Sequence, residues 1–129
     1  MPLTEAFSGY STDDVPAAAV FYRDVLGVET SQENGMLTLH FADGHHVLVY
    51  PKGPAHQPAA FTVLNFPVDD VGAVVAALSE RGVAFEHYEG TPAETDDDGV
   101  FRGGGPLIAW FTDPSGNVMS VIEGPGLDG

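Results

Sequence analysis

No cysteine occurs among the 129 residues, which excludes disulfides, thiolate metal sites and cysteine nucleophiles. Positive charge is scarce as well: four Lys and Arg stand against nineteen Asp and Glu, a net charge of −15. So acidic a surface repels phosphate backbones and argues against nucleic acids and anionic membranes as partners. No apolar run approaches the ~20 residues that span a bilayer. The opening Met1-Pro2-Leu3-Thr4-Glu5 has neither the basic start nor the apolar core of a signal peptide. A soluble, cytoplasmic chain is the expectation. The acidity has two readings, a solvated exterior that aids solubility or a rim that attracts a cationic small molecule. Its densest run, Glu86 to Asp98, holds six acids and no base together with Gly90, Thr91 and Pro92, and reads as an exposed loop.

What the chain does contain is one pattern stated twice. Thr12-Asp13-Asp14-Val15 opens a helix-like stretch that closes at Gly27-Val28, and Val68-Asp69-Asp70-Val71 opens another that closes at Gly82-Val83. A shift of 56 residues superposes the two openings. A βα unit this short cannot bury its own apolar face, so the repeats are expected to pack within one domain, 1–129. Asp13 or Asp14 suits a helix N-cap and Pro16 the first turn, with Val20, Phe21, Val25 and Leu26 as the apolar stripe. Strands fit residues 28–33, 35–42 and 46–51, with Asp43-Gly44 as a two-residue hairpin turn. The second half repeats the order: a strand over 61–68, a helix from Val71 to near Gly82, a strand over 83–87, the acidic loop, and a last hairpin over 107–112 and 118–122. Gly124-Pro125-Gly126 then breaks the final strand. The fold class is α+β, two βαβββ modules over about 5–52 and 58–124.

Three segments carry a family resemblance: the Asp-Asp-Val opening, Phe21-Tyr22-Arg23-Asp24-Val25-Leu26-Gly27, and Trp110-Phe111-Thr112-Asp113-Pro114-Ser115-Gly116-Asn117. Over residues 5–123 the chain resembles the vicinal oxygen chelate superfamily of glyoxalase I, extradiol dioxygenases and bleomycin-resistance proteins. The resemblance implies a curved mixed sheet formed by both modules around a shared cup. It also implies a divalent metal held there by four His or Glu side chains on the first and last strands of the modules. Those positions fall on Phe7, Leu48, Val63 and Ser120. None offers the imidazole or carboxylate that Mg, Mn, Fe, Ni or Zn prefer. No metal and no cofactor is therefore expected.

Alternation along the strands lists the remaining cup residues. Ser11 lies with Phe7, and Phe61 and Asn65 lie with Val63. A two-residue turn at Asp43-Gly44 pairs Leu39 with Leu48 and Phe41 with His46, with Tyr50 on the same side. A three-residue turn at Pro114-Ser115-Gly116 sets Trp110 opposite Ser120, with Ile122 alongside. Trp110 is the foremost candidate for ligand contact. His46 alone among the histidines has cup parity; His40 is expected to face the helix, so a combined His40/His45/His46 metal site would need both sheet faces. Gly103-Gly104-Gly105 has no following Lys or helix and reads as a lip, not a phosphate loop. Catalytic residues are not identifiable. The function expected is binding of a small apolar or aromatic molecule, cationic if the acidic rim takes part. The alternative is a lyase, isomerase or dioxygenase-like enzyme using atypical metal ligands or none. Relatives with two modules commonly pair, and a homodimer is expected.

Overall fold

The computed structural model describes residues 2–124, apart from the side chain of Asp43; the proposed break at Gly124-Pro125-Gly126 lies mostly outside them. The chain divides into two compact units, Met1–Pro58 and Ala59–Gly129. Each carries a four-stranded mixed sheet with few helices, which makes the fold α+β. No helix among the described residues is long and apolar enough to cross a membrane.

In the first unit, strand β1 (Ser8–Thr12) leads into helix α1 (Val15–Val20) and a π-turn (Phe21–Val25), then β2 (Glu29–Glu33), β3 (Met36–His40) and β4 (His46–Pro51). The sheet order is β1-β4-β3-β2, with β1 parallel to β4 and the other pairs antiparallel. Asp14 caps α1 by accepting the Ala17 N–H at 3.0 Å, as its place before Pro16 suggests. The helix buries Val15, Ala18, Ala19 and Tyr22, at the spacing of a single helical face. The predicted stripe is corrected here, because Val20 is 49% exposed. The small Ala18 and Ala19 are the residues that meet the sheet. Tyr22 closes the face, and its hydroxyl meets that of Tyr10 at 2.7 Å in a buried pair. Beneath lie Tyr10, Thr12, Leu37, Leu39, Val47 and Val49.

The hairpin between β3 and β4 departs from the predicted turn. Residues 41–45 form a five-residue connection containing a short 3₁₀ turn at Ala42–Gly44, not a two-residue turn. The register becomes Thr38 with Leu48, Leu39 with Val47 and His40 with His46. A shift of one residue exchanges the two faces of a strand, so Leu39 belongs to the core and His40 to the open face beside His46.

The second unit repeats the plan with β5 (Thr62–Val68), helix α2 (Val71–Glu80), β6 (Val100–Phe101), β7 (Ile108–Thr112) and β8 (Val118–Glu123), in the order β5-β8-β7-β6. Asp70 caps α2 through the Ala73 N–H. At the far end Gly82, with φ +92°, brings its own N–H to the Ser79 carbonyl and that of Val83 to the Leu78 carbonyl, a paired closure that a left-handed glycine permits. The first unit reaches one residue further back, from Val28 N–H to the Tyr22 carbonyl, because the π-turn holds one residue more.

The strand expected over 83–87 is a single bridge, Phe85 with Phe111. Val100 and Phe101 take the rest of that sheet edge, against Ala109 and Ile108. The edge strand is thus split by an excursion over 87–99. Thr95 ties it back through its N–H to the His87 carbonyl and its hydroxyl to the Glu86 carbonyl. Asp96 accepts the N–H groups of Asp98 and Val100 and pairs with Arg102 at 2.6 Å. The Arg102 guanidinium, helped by the Val100 N–H, holds the Asp96 carboxyl below the usual range. The acidic run is therefore a built turn rather than a featureless loop.

Candidate functional site

Each sheet has one face under its helix and one open face, and the predicted site residues fall on the open faces or beside them. In the first unit Ser11, Leu48 and Tyr50 are half-buried there. Gly9 leaves room for them, since an added Cβ would stand 3.6 Å from the Tyr50 ring and 3.2 Å from the Leu48 carbonyl. Phe7 precedes β1, is 57% exposed and stacks on His46 with ring centroids 5.0 Å apart. The Ser11 hydroxyl meets Nδ1 of His56 at 2.6 Å. His40, expected on the helix side, stands in the open-face row with Nε2 2.7 Å from the Ser31 hydroxyl. Sequence reasoning passed over His56, which sits in the linker.

In the second unit Trp110 and Ser120 are register partners, the pairing that the Pro114-Ser115-Gly116 turn predicts. Ser120 is fully buried and donates to Oδ1 of Asn65 at 2.6 Å, so the two polar groups act as one. Ile122 is buried on the same face. Phe61 lies just before β5 and is 70% exposed. Val63 sits in a β-bulge and has no register partner on β8, so simple alternation stops at that residue.

Two residues missed in the sequence complete an aromatic wall. Tyr88 lies edge-on to Trp110, centroids 5.4 Å apart and planes at 68°; Phe101 lies on another side at 5.9 Å and 56°. Phe101 reaches this face because it is the register partner of Ile108. Gly103 lets the ring lie close, since a Cβ there would stand 2.7 Å from it and push it aside. Tyr88 has φ +49°, a left-handed conformation that a bulky residue adopts only under tertiary constraint. Burial first, then the Glu86 carboxylate, push its phenol above the usual range.

The fold implies a divalent metal, and the side chains at its four positions decide whether one fits. Phe7, Leu48, Val63 and Ser120 supply one hydroxyl among them, and that hydroxyl is engaged with Asn65. Among the described residues no three His, Asp or Glu side chains gather closely enough to hold an ion. The donor set does not fit the group.

The family model for the Glyoxalase/Bleomycin resistance protein/Dioxygenase superfamily matches residues 7–121. The chain belongs to that superfamily. Among solved structures it is similar to the antibiotic-binding protein TnmS3 from Streptomyces sp. CB03234, at 23% identity and TM-score 0.64, covering 95% of this chain and 98% of that one. It is similar to lactoylglutathione lyase from Agrobacterium tumefaciens at 22% identity and TM-score 0.63, with 96% of each chain covered. Oxidase ChaP-H2 matches at 18% identity and TM-score 0.64, over 95% of this chain and 96% of that one. A binder, a lyase and an oxidase thus share the fold, and the fold alone does not choose between them. No curated protein matches the sequence.

Proposed function

We propose that this superfamily member is a small-molecule-binding protein that works without a divalent metal, taking an apolar or aromatic ligand on the open face of its second module. The observation that carries the reading is the Trp110 wall. Three aromatic rings stand over a face whose polar groups are the coupled Ser120 and Asn65 and the Tyr88 phenol. Pockets that gain affinity from apolar burial and orientation from a few polar groups have this composition. Phe7, Ser11, Leu48 and Tyr50 form a comparable, smaller set on the first module. The absence of imidazole and carboxylate from all four ligand positions supports a metal-free mode.

Trp110 is the sole tryptophan, so its fluorescence reports directly on this face. Titration with a panel of planar aromatic compounds should quench it saturably. With a compound so found, calorimetry on Trp110→Ala should show affinity weaker by roughly 1–3 kcal/mol, the scale of one large buried contact. Unchanged affinity would place the ligand elsewhere. Dialysed protein should carry no stoichiometric metal, and added EDTA should leave the titration unaltered. An affinity that falls with salt would identify the ligand as a cation drawn by the acidic exterior.

The protein is further proposed to act as a homodimer. Open sheet edges favour cover by a partner, and charge repulsion is screened beyond ~8 Å at physiological ionic strength. Sedimentation velocity at micromolar concentration should give the mass of two chains; monomer alone would refute it.

A further inference from the structure

On the helix side of the second module a groove of about 630 Å³ lies between α2 and the excursion over 87–99. It is separate from the Trp110 face. Phe85 and Val100, which line it, are register partners of Phe111 and Ala109, both buried on the side that α2 covers. The groove has a cause in the sequence. α2 presents Gly72, Ala76 and Ser79 to it, small residues at the spacing of one helical face, so the helix leaves space where larger side chains would close it. The facing wall, Asp97 and Asp98, is held off the helix because the Asp96 carboxylate pins the turn to the Val100 and Asp98 N–H groups. Of the basic residues on the lining, Arg102 pairs with Asp96 at 2.6 Å and also interacts with the Asp98 carboxylate, and the His87 ring meets the Asp96 carbonyl. The result is a trough of mixed character, with an apolar wall of Val75, Phe85 and Val100 and carboxylates along one rim, of a volume ordinary for small-ligand sites.

We propose that this groove binds a small organic amine, with its apolar body against Val75, Phe85 and Val100 and its ammonium toward Asp97 and Asp98. Charge complementarity selects the class: a chain of net charge −15 repels an anion here, and a neutral hydrocarbon would leave the rim unused. Asp97 and Asp98, which are not part of the Trp110 wall, thereby acquire a role.

The test is a titration of the ¹⁵N-labelled full chain with 2-phenylethylammonium chloride, and separately with 3-phenylpropanoate, a carboxylate of similar size. The amine should shift the amides of Ala76, Ser79, Asp98 and Val100 saturably while the Trp110 indole N–H stays in place, and the carboxylate should shift none of them. Asp97→Asn with Asp98→Asn should weaken the amine about fivefold, the scale of two exposed charge contacts. Ala76→Leu, at an exposed position that tolerates a larger side chain, should block it, and Trp110→Ala should leave it unchanged. Absence of saturable shifts, shifts centred on Trp110, equal response to the carboxylate, or full affinity in the double Asn variant would each overturn the proposal.

Discussion

Replacing Leu39 with alanine is expected to destabilise the protein by about 2–5 kcal/mol, whereas Thr38→Ala, one residue away, should cost about 1 kcal/mol or less. Leu39 is completely buried, facing α1 from the middle of β3, and its removal leaves a cavity that a tightly packed sheet closes only in part. Thr38 is on the opposite face, opposite Leu48. Urea unfolding of the two variants measures both costs. The reversed order would show that the five-residue connection over 41–45 is mistaken and that a two-residue turn sets the register, because the two registers put opposite residues in the core.

Removal of the Asp113 carboxylate should have an effect of similar size for a different reason. Asp113 is nearly fully buried in the last hairpin; its Oδ1 accepts the N–H groups of Ser115 and Asn117, both at 2.9 Å, and its Oδ2 accepts Nδ2 of Asn117 at 3.0 Å. Asp113→Ala strands those donors out of water, at about 1–3 kcal/mol for each one left unpaired. The expected loss is about 3 kcal/mol, read from the denaturation midpoint. Asp113→Asn keeps an acceptor toward the backbone but sets an amide N–H₂ against that of Asn117, and should lie between. A midpoint unchanged in Asp113→Ala would mean that the turn does not depend on its carboxylate. The Asp-Pro-Ser-Gly-Asn segment thus builds the hairpin that sets Trp110 opposite Ser120.

The sequence carried the architecture because the signals are local. Asp14 and Asp70 cap helices with their own side chains, and Gly27 and Gly82 end them in a conformation glycine adopts freely. Even the π-turn has a trace in the chain: from capping Asp to closing Gly, the first module has one residue more than the second. The misreadings arose where backbone geometry departs from the simplest turn or alternation. Asp43-Gly44 looks like a tight turn, but Phe41 N–H bonds to the His45 carbonyl and lengthens the connection, which moves His40 and Leu39 to the faces opposite those expected. The bulge at Val63 leaves no mark in the alternation of apolar residues. Tyr88 joined the Trp110 wall unforeseen because it belongs to an acidic segment whose shape depends on Thr95 and Asp96 reaching back across it. The pairing of Trp110 with Ser120 was legible because that turn was read at its true length, three residues from Pro114 to Gly116 closed by Asp113 and Asn117.

The divided edge of the second sheet bears on strand-to-strand aggregation. A long, flat outer strand is a template on which foreign strands can assemble into fibrils. Here that outer position offers two residues at Val100–Phe101 and a single bridge at Phe85, with a projecting turn between them. At the corresponding position of the first sheet, β2 relies on composition instead, with glutamates at both ends and polar residues between. The two safeguards differ in kind. One is electrostatic and weakens as salt screens it; the other is steric and persists for as long as the excursion stays folded.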